Sequence, residues 1–413
     1  MLRHSLYTRG TPRQVFFSIN YGTCVFFDCT YYPYLMKLGD KNRRYGTIAL
    51  LVILECAFVG LVLYQCFRAK QPGAPAAESE APDESDRKLW TVDYSRTAVN
   101  PFRHLVFPTD QVLDRNDPDV FQPTVSGRPE SALFGSVRTA SYGKSLAASF
   151  HEGVDIAVSQ WDAAGRPQDA VYAVADGKVA YVNTIAGNSN YGKYLVITHI
   201  CPSGIVYTLY AHLASISPDA IRKRFVKAGD VLGIIGYTAN PPIPQTRAHL
   251  HFEIGLILNA RFDQWFRAQK LKHGHGDFNG WNLLGVDPLA VFERQRQCPD
   301  FNFFKHIAAL PIAFEIVLAA RRRPDFFDRY PCLWEGAFHQ GDDIWMAVAE
   351  NGLPLKGRNA AESERRLRGF HRSAVLRVDP AVLGRNGCRL VIRRKGLWRL
   401  GPAGEKWRDM LMY

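Results

Sequence analysis

The chain has 413 residues, of which 47% are hydrophobic and 12% aromatic, and its formal net charge is +12. That much apolar surface can build a folded core, which excludes a wholly disordered or fibrous protein. Eight cysteines are too few for a disulfide scaffold in a chain of this length. At about 150 residues per domain, the length predicts two or three domains.

An apolar run at residues 46–67 is predicted to be a transmembrane helix. It reads GTIALLVILECAFVGLVLYQCF, and as a helix it would span about 30 Å, enough to cross a bilayer. Glu55 is its only carboxylate and costs about 2.5 kcal/mol or more at the bilayer centre. The surrounding Leu, Ile, Val and Phe offset that cost, so a membrane anchor is favoured over a buried core helix.

Charges on either side of the apolar run predict its orientation. Lys37, Lys41, Arg43 and Arg44 precede it, whereas five acids follow it in a linker at 68–90 rich in Pro, Ala and Ser. The positive-inside rule therefore makes residues 1–45 a cytoplasmic tail and leaves the bulk of the chain outside. A cleaved signal peptide is the alternative. Met36 is an alternative start, which would remove most of the tail.

A proline-containing segment at 91–130 is predicted to be extended, and a strand-rich pattern begins at residue 131. Short apolar runs separated by Gly, Asn and Pro predict an antiparallel sheet or barrel-like fold, with a helical period only at 218–224. Asp176-Gly177 predicts a hairpin, and so does Pro202-Ser203-Gly204. The predicted strand runs are 171–175, 178–182, 194–198, 205–210, 231–236 and 249–254.

Three elements in this region carry residues suited to a metal. They are His151-Glu152-Gly153-Val154-Asp155, Tyr210-Ala211-His212-Leu213 and His249-Leu250-His251. Strand alternation places His249 and His251 on one face, with Leu250 in the core. Two His nitrogens, one Asp oxygen and an open fourth position form a catalytic zinc arrangement. A second His-x-His at 273–275 lies in a Gly-rich stretch and is attributed to chance.

Taken in order, these motifs resemble the lysostaphin-type zinc metallopeptidases. That family reads Phe-Gly-x-x-Arg, His-x-Gly-x-Asp, Tyr-x-His-Leu and His-Leu-His-Phe-Glu. The first motif is Phe134-Gly135-Ser136-Val137-Arg138, and the last ends at Glu253. Ala170-Val171-Tyr172-Ala173 departs from the Pro-Val-x-Ala of the family. The resemblance implies a LytM-like domain with the duplicated hybrid motif fold over residues 131–292.

The resemblance also implies roles for the site residues. His151, Asp155 and His251 would bind one Zn²⁺ per chain. His212 and His249 would lie beside the metal-bound water, and the sequence leaves open which of them takes its proton.

Three nearby side chains receive other interpretations. Glu152 is not expected to be the general base, since the chain has no His-Glu-x-x-His motif. His199 is expected to be a strand-end residue and not a ligand. Glu253 is expected to orient a neighbouring side chain or to face solvent.

Residues 256–292 are predicted to be an added cap near the cleft. Within them, a helix over 257–272 would carry Phe262, Trp265 and Phe266 on one side.

Residues 296–413 are predicted to form a small α+β domain of unknown function, with a helix over 301–320. A second membrane span over that helix is a weaker alternative. A Cys332–Cys388 disulfide is a further prediction. The region carries 21 bases and 13 acids, net +8, so an anionic wall polymer or a membrane surface is the natural partner.

Together these features predict a mainly β, membrane-anchored zinc endopeptidase. It would be a single-pass protein of a bacterial inner membrane, with a periplasmic catalytic domain that hydrolyses peptidoglycan stems or cross-links. The alternative is a non-hydrolytic envelope module that binds peptidoglycan or activates an amidase or division partner. Nucleic-acid binding is not expected, because no motif supports it and an outside location conflicts with it.

Overall fold

A computed structural model describes residues 100–142, 145–271 and 274–413. The predicted cytoplasmic tail, anchor and linker lie outside these residues. Within them, no helix combines the length and the apolar character that a membrane span requires.

The first part of the described chain is built mainly from strands. In chain order they are β1 Val137–Tyr142, β2 Ser145–Phe150, β3 Val154–Ala157, β4 Ala170–Tyr172, β5 Gly177–Asn183, β6 Tyr194–Cys201, β7 Gly204–Ala211, β8 Ser215–Ile216, β9 Phe225–Val226, β10 Val231–Ile234, β11 His249–Ile257 and β12 Leu283–Val286. Its helices are α1 Pro218–Lys223, α2 Phe262–Ala268 and α3 Pro288–Gln297. Short 3₁₀ turns occur at Pro101–Arg103, Pro118–Val120, Pro129–Ala132 and Gln245–Arg247. The mainly β, antiparallel prediction is confirmed here.

A seven-stranded antiparallel sheet forms the centre of this part. Its order is β12-β11-β7-β6-β5-β9, and β3 pairs with the first half of β11. All nine residues of β11 are buried, because both faces of the sheet are covered. One face carries Leu250 and Phe252 of the main core, and the other carries a cluster of tyrosines that includes Tyr194 and Tyr207. The central strand is therefore held firmly on both sides.

One predicted hairpin is confirmed and the other is wrong. β6 and β7 pair antiparallel around Pro202-Ser203-Gly204, as predicted. Asp176-Gly177, however, joins two sheets, because β4 pairs with β10 whereas β5 pairs with β6 and β9. The chain crosses between the sheets at Val174, whose amide donates to the Tyr210 hydroxyl at 3.0 Å. Buried contacts outweigh the local turn signal there.

The predicted cap at 256–292 is only partly a separate element. β12 pairs with β11 and is a strand of the large sheet. The predicted helix is shorter than expected, because Ile257 still belongs to β11. Phe262, Trp265 and Phe266 are all buried on α2, in agreement with the predicted apolar side.

Residues 296–413 contain both strands and helices. The strands are β13 Phe314–Leu318, β14 Trp334–Glu335, β15 Ile344–Val348, β16 Pro354–Asn359, β17 Ser373–Val378, β18 Val391–Arg394 and β19 Leu397–Leu400. The helices are α4 Phe303–Ala308, α5 Asp325–Arg329, α6 Glu362–Arg368, α7 Pro380–Leu383 and α8 Pro402–Leu411, with a 3₁₀ turn at Pro331–Leu333. The strand order β14-β16-β15-β13-β17 forms a mixed sheet.

The predicted helix over 301–320 is wrong. α4 begins after Asn302, whose side chain accepts from the Lys305 amide at 3.0 Å, and it ends at Ala308. Pro311 cannot continue a helix, because it lacks the amide proton and its ring clashes with the preceding turn. The apolar residues beyond it form β13, which lies between β15 and β17.

The predicted Cys332–Cys388 disulfide is not formed. Among the described residues, Cys201, Cys298, Cys332 and Cys388 are all free thiols. The Cys332 sulfur lies 3.9 Å from the Ser203 carbonyl oxygen. Burial, reinforced by the carboxylates of Glu152 and Glu350, raises the pKa of the Cys388 thiol well above its usual value. The two thiols therefore lie in different surroundings.

Candidate metal centre

The register between β3 and β11 brings two predicted ligands together. His251 lies directly opposite Asp155, and their side chains share one face of the antiparallel pair. His151 comes from the loop just before β3, four residues from Asp155. On the other side of β11, His251 pairs with Ala211 at the end of β7, and His212 follows immediately. β11 therefore gathers residues from three separate parts of the sequence.

The ligand atoms of this trio form a nearly equilateral triangle. His151 Nε2 lies 3.0 Å from Asp155 Oδ1 and 3.0 Å from His251 Nδ1, and the last two atoms are 2.9 Å apart. Tetrahedral zinc with bonds of about 2.0–2.1 Å keeps its donors roughly 3.3 Å apart. The triangle is therefore slightly smaller than zinc requires, and its donor set is the one that zinc prefers. Within the described part of the chain, this trio is the group of three or more His, Cys, Asp or Glu side chains close enough together to bind one metal ion.

The opposite side of each ligand is fixed by a hydrogen bond. His151 Nδ1 donates to the Leu133 carbonyl oxygen at 2.9 Å, which leaves Nε2 with its lone pair toward the centre. The Arg138 guanidinium donates to Asp155 Oδ2 at 2.6 Å. His251 Nε2 donates to Glu253 Oε1 at 2.8 Å, so Nδ1 faces the centre. Arg138 belongs to the Phe-Gly-x-x-Arg motif, but its contact with Asp155 could not be predicted from that motif.

Glu253 orients His251, as one of the two predictions for it stated. Its carboxylate is fully buried, and it accepts from Tyr191 at 2.7 Å and from Tyr207 at 2.8 Å in addition to His251. Burial alone would favour the neutral acid, but these donors outweigh it and hold the pKa of Glu253 below its usual value. The two tyrosines were not predicted to contact Glu253, since Tyr191 lies in a turn before β6 and Tyr207 lies within β7, both far from Glu253 in sequence.

The trio carries opposing electrostatic effects. Burial opposes ionisation of Asp155, yet His151 and Arg138 hold the pKa of its carboxyl well below the usual range. Burial lowers the pKa of His151 to about 4, so its imidazole is neutral at pH 7. Burial acts in the same sense on His251, but hydrogen bonds to Asp155 and Glu253 outweigh it and raise its pKa to about 9. Because a metal needs a neutral imidazole, a cation bound here would displace a proton from His251.

His212 and His249 lie beside the trio, with the His212 ring centre 5.9 Å from that of His251. His249 Nδ1 donates to the Arg247 carbonyl at 2.8 Å, and His249 Nε2 lies 3.7 Å from Asp155 Oδ2. His212 Nδ1 donates to the Thr238 carbonyl at 3.0 Å. The His212 and His249 rings pack edge to face, with their centres 4.7 Å apart. Burial lowers the pKa of both, so each is neutral at pH 7 with Nε2 able to accept a proton.

The backbone at His212 has a left-handed conformation, with φ of 63°. Such a conformation is uncommon for a residue other than glycine and costs about 1–3 kcal/mol. It is held by the His212 amide, which donates to the Tyr191 carbonyl at 2.9 Å, and by the bond to Thr238. The strain therefore serves to turn the imidazole toward the trio.

Glu152 and His199 lie away from the centre. Glu152 accepts from the Gly285 amide at 3.0 Å and from the Asn351 side chain at 2.6 Å. His199 lies within β6, where it contacts the Asp176 carbonyl at 2.8 Å and the Thr208 hydroxyl at 2.9 Å. Neither side chain is placed to act as a ligand or a base.

Residues 149–261 match the family model described as Peptidase family M23. This range contains all five of the histidine and aspartate positions gathered above. The resemblance predicted from the motifs is therefore confirmed for this segment of the chain. The comparison with curated proteins gives no match.

Several solved structures resemble parts of the chain. The chain is 18% identical to Helicobacter pylori Csd3, with 45% of this chain and 34% of that one covered and a TM-score of 0.25. It is 20% identical to the catalytic domain of the antimicrobial peptidase lysostaphin from Staphylococcus simulans, with 39% and 89% covered and a TM-score of 0.24. For LytU the identity is 22%, the coverage 39% and 88%, and the TM-score 0.19.

The chain thus spans about a third of the length of Csd3. TM-scores this low do not establish a shared overall fold. The match to the family model covers residues 149–261 and ends there.

Proposed function

We propose that the chain is a zinc-dependent peptide hydrolase. The observation that carries the proposal is the His151–Asp155–His251 triangle, with edges of 2.9–3.0 Å and two neutral histidines beside it. Zinc bound there would act as a Lewis acid toward a peptide carbonyl and would lower the pKa of a water molecule to about 7. Three protein ligands leave a position open for that chemistry.

The protein's own residues would then move the protons. Nε2 of His249 or His212 can accept a proton from the attacking water, because both imidazoles are neutral and their Nδ1 protons are held by backbone carbonyls. Once protonated, the same nitrogen can stabilise the developing negative charge or pass the proton to the leaving amine. In both rings Nδ1 donates to a backbone carbonyl and leaves Nε2 as the proton acceptor, so either ring can fill either role.

Peptides of peptidoglycan stems or cross-links are the substrate that we propose. The support is the motif set shared with lysostaphin-type peptidases, together with the match of residues 149–261 to peptidase family M23. We also propose that residues 46–67 anchor the protein in a bacterial inner membrane, with the peptidase on the periplasmic side. The apolar run and its flanking charges support that location.

An anionic wall polymer is proposed as a further partner of the C-terminal region. Arg394, Lys395 and Arg399 line a hollow of about 430 Å³ at the tip of the β18–β19 hairpin. All three side chains belong to exposed residues, and none of them forms an ion pair with another described residue. A groove lined by cations alone favours a polyanion.

The test is digestion of purified sacculi by the full-length protein in detergent. We expect release of soluble muropeptides that a chelator abolishes and added zinc restores, and no release by His251→Ala. New amino termini in the products would identify peptide-bond cleavage. If the wild-type protein binds sacculi but releases nothing at any zinc concentration, the non-hydrolytic alternative replaces this proposal.

A further inference from the structure

The loop that carries His151 is held from both sides by residues far along the chain. We propose that the C-terminal region is part of the metal centre, with Asn351 as a positioning residue that holds the His151 loop in its metal-binding conformation through Glu152. The inference rests on the proposed zinc site and goes beyond it, because Asn351 lies outside the segment that matches the peptidase family.

Asn351 lies in the loop between β15 and β16 and is only 5% exposed. Its amide nitrogen donates to Glu152 Oε2 at 2.6 Å and to the Gly285 carbonyl at 2.9 Å. Its amide oxygen accepts from the Leu353 amide at 3.3 Å. The side chain therefore uses both amide protons to join the C-terminal region to the loop and to β12.

Glu152, the next residue after His151, receives these bonds in a confined position. The same carboxylate oxygen accepts from the Gly285 amide at 3.0 Å. A Cβ at Gly285 would lie 2.0 Å from the Glu152 carbonyl oxygen, so only glycine allows this approach. Gly153 is equally confined, since a Cβ there would lie 2.2 Å from the Phe252 carbonyl oxygen. The loop has little freedom to shift while these contacts persist.

A second contact reaches the residue on the other side of His151. A Cβ at Gly387 would lie 2.7 Å from the Val137 side chain and 3.5 Å from the Phe150 Cα. Phe150 directly precedes His151. Both chain neighbours of the ligand therefore adjoin the C-terminal region, Glu152 through its bond to Asn351 and Phe150 through its position beside Gly387.

The His151 imidazole itself is held from the N-terminal side of the sheet, because Nδ1 donates to the Leu133 carbonyl oxygen at 2.9 Å. This bond sets the tautomer and the ring orientation of His151. The contacts from Asn351 and Gly387 fix the backbone that bears the ring. Loss of these contacts would leave the correct tautomer on a loop that is free to move, which weakens metal binding without removing a ligand.

The experiment is a zinc titration of the full-length apo protein in competition with a chromogenic chelator. We expect Asn351→Ala to weaken zinc binding about tenfold, at the low end of the roughly 10–100-fold range for residues that support metal ligands. Asn359→Ala is the matched control, because its amide also donates to a backbone carbonyl of the same region, that of Ala337, at 2.7 Å. We expect the control to bind zinc within about twofold of the wild type.

A second set of variants distinguishes a positioning role of Asn351 from a general contribution to stability. Asn351→Asp replaces the donor by a second carboxylate facing Glu152, and we expect a larger loss of zinc affinity than for Asn351→Ala. Adding Glu152→Gln restores a donor to this pair, and we expect the double variant to recover part of the loss. Gly387→Ala tests the second contact independently, and we expect it to weaken zinc binding as well.

The outcomes distinguish this inference from the proposed function. If the wild-type protein binds no zinc, the proposed function itself fails. If it binds zinc and folded Asn351→Ala binds equally tightly, the inference is overturned. If Asn351→Ala does not fold, the Glu152→Gln/Asn351→Asp double variant is compared with the Asn351→Asp single variant. Tighter zinc binding by the double variant supports the inference, and equal or weaker binding contradicts it.

Discussion

The chain contains two His-x-His motifs with the same spacing and very different surroundings. His249-Leu250-His251 lies on β11, where strand register places His251 opposite Asp155 and where Leu250 points into the core. His275 of the second motif lies in a loop and contacts the Tyr181 hydroxyl at 2.8 Å, whereas His273 lies outside the described residues. The spacing alone therefore carries little information. What makes a metal centre is the neighbouring strand that supplies Asp155 and the loop that supplies His151.

The largest expected effect comes from removing a ligand of the first motif. His251→Ala leaves two ligands, and we expect zinc binding to be lost. Because the metal supplies several kcal/mol of transition-state stabilisation, kcat/KM on a peptidoglycan peptide is expected to fall by roughly 10³-fold or more. Metal content by mass spectrometry and peptide cleavage by chromatography measure the two effects.

His275→Ala is the control for that prediction. Equal loss of zinc from both variants would mean that the two motifs bind metal in concert, which would break the comparison.

The next largest effect is expected from the two histidines that lie beside the metal ligands. His249→Ala and His212→Ala remove proton acceptors and not ligands, so each is expected to retain zinc. We expect kcat to fall by about 10²–10⁴-fold in each, the usual contribution of general acid–base catalysis. Steady-state kinetics at saturating zinc provide the measurement.

The two variants together also show whether the proton acceptors act as a unit. If the double variant is no slower than the slower single variant, the two imidazoles work in one proton-transfer path. Loss of zinc from either single variant would instead make that residue a ligand.

A smaller effect is expected from the partner of His251. Glu253→Gln keeps the volume of the side chain but replaces the carboxylate that accepts from His251, Tyr191 and Tyr207. We expect zinc binding to weaken by about 10–100-fold, because the imidazole becomes a poorer and less well oriented ligand. Competition with a chelator gives the dissociation constant.

Glu315→Gln is the matched control for Glu253→Gln. Glu315 pairs with Arg377 at 3.0 Å on the C-terminal sheet. An unchanged zinc affinity in Glu253→Gln would show that the orientation of His251 is set by β11 alone.

A change of pH is expected to have less effect still. Burial lowers the pKa of His212 and of His249, so their neutral forms persist below the usual value of 6.5. At saturating zinc, protonation of these two imidazoles is therefore expected to lower kcat between pH 7.5 and 6.5 by less than the roughly 1.8-fold that an imidazole with the ordinary pKa of 6.5 would give. A drop close to tenfold would show that the proton acceptor titrates with a pKa raised above about 7.5.

Sequence motifs predicted the ligands because the chemistry of zinc restricts them to few residue types. Strand alternation gave the common face of His249 and His251, and the motif order brought in His151 and Asp155. The supporting residues could not be predicted from local sequence. Tyr207 meets Glu253 through the pairing of β7 with β11, Tyr191 reaches it from a turn 62 positions away, and Asn351 meets Glu152 across 199 positions.

The failed fold predictions have the same origin. The turn signal at Asp176-Gly177 is local, whereas the crossing between two sheets is set by buried contacts around Val174. The apolar run over 301–320 predicted one helix. Pro311 prevents the helix from continuing, and the residues beyond it pair with β15 as β13. Local patterns therefore predicted the site residues well, whereas packing between distant segments decided which strands pair.

The smallest expected effect concerns the second motif. His275 is buried and contacts Tyr181, and its ring also lies 5.5 Å from that of Tyr194. His275→Ala is therefore expected to lower the free energy of unfolding by about 1 kcal/mol, because it removes the hydrogen bond to the partly buried Tyr181 hydroxyl. Zinc affinity and kcat/KM are expected to stay within about twofold of the wild type. Tyr181→Phe removes the same bond from the other side, so a loss of zinc affinity in both variants would mean that the tyrosine cluster transmits changes from the loop to Glu253 through Tyr191.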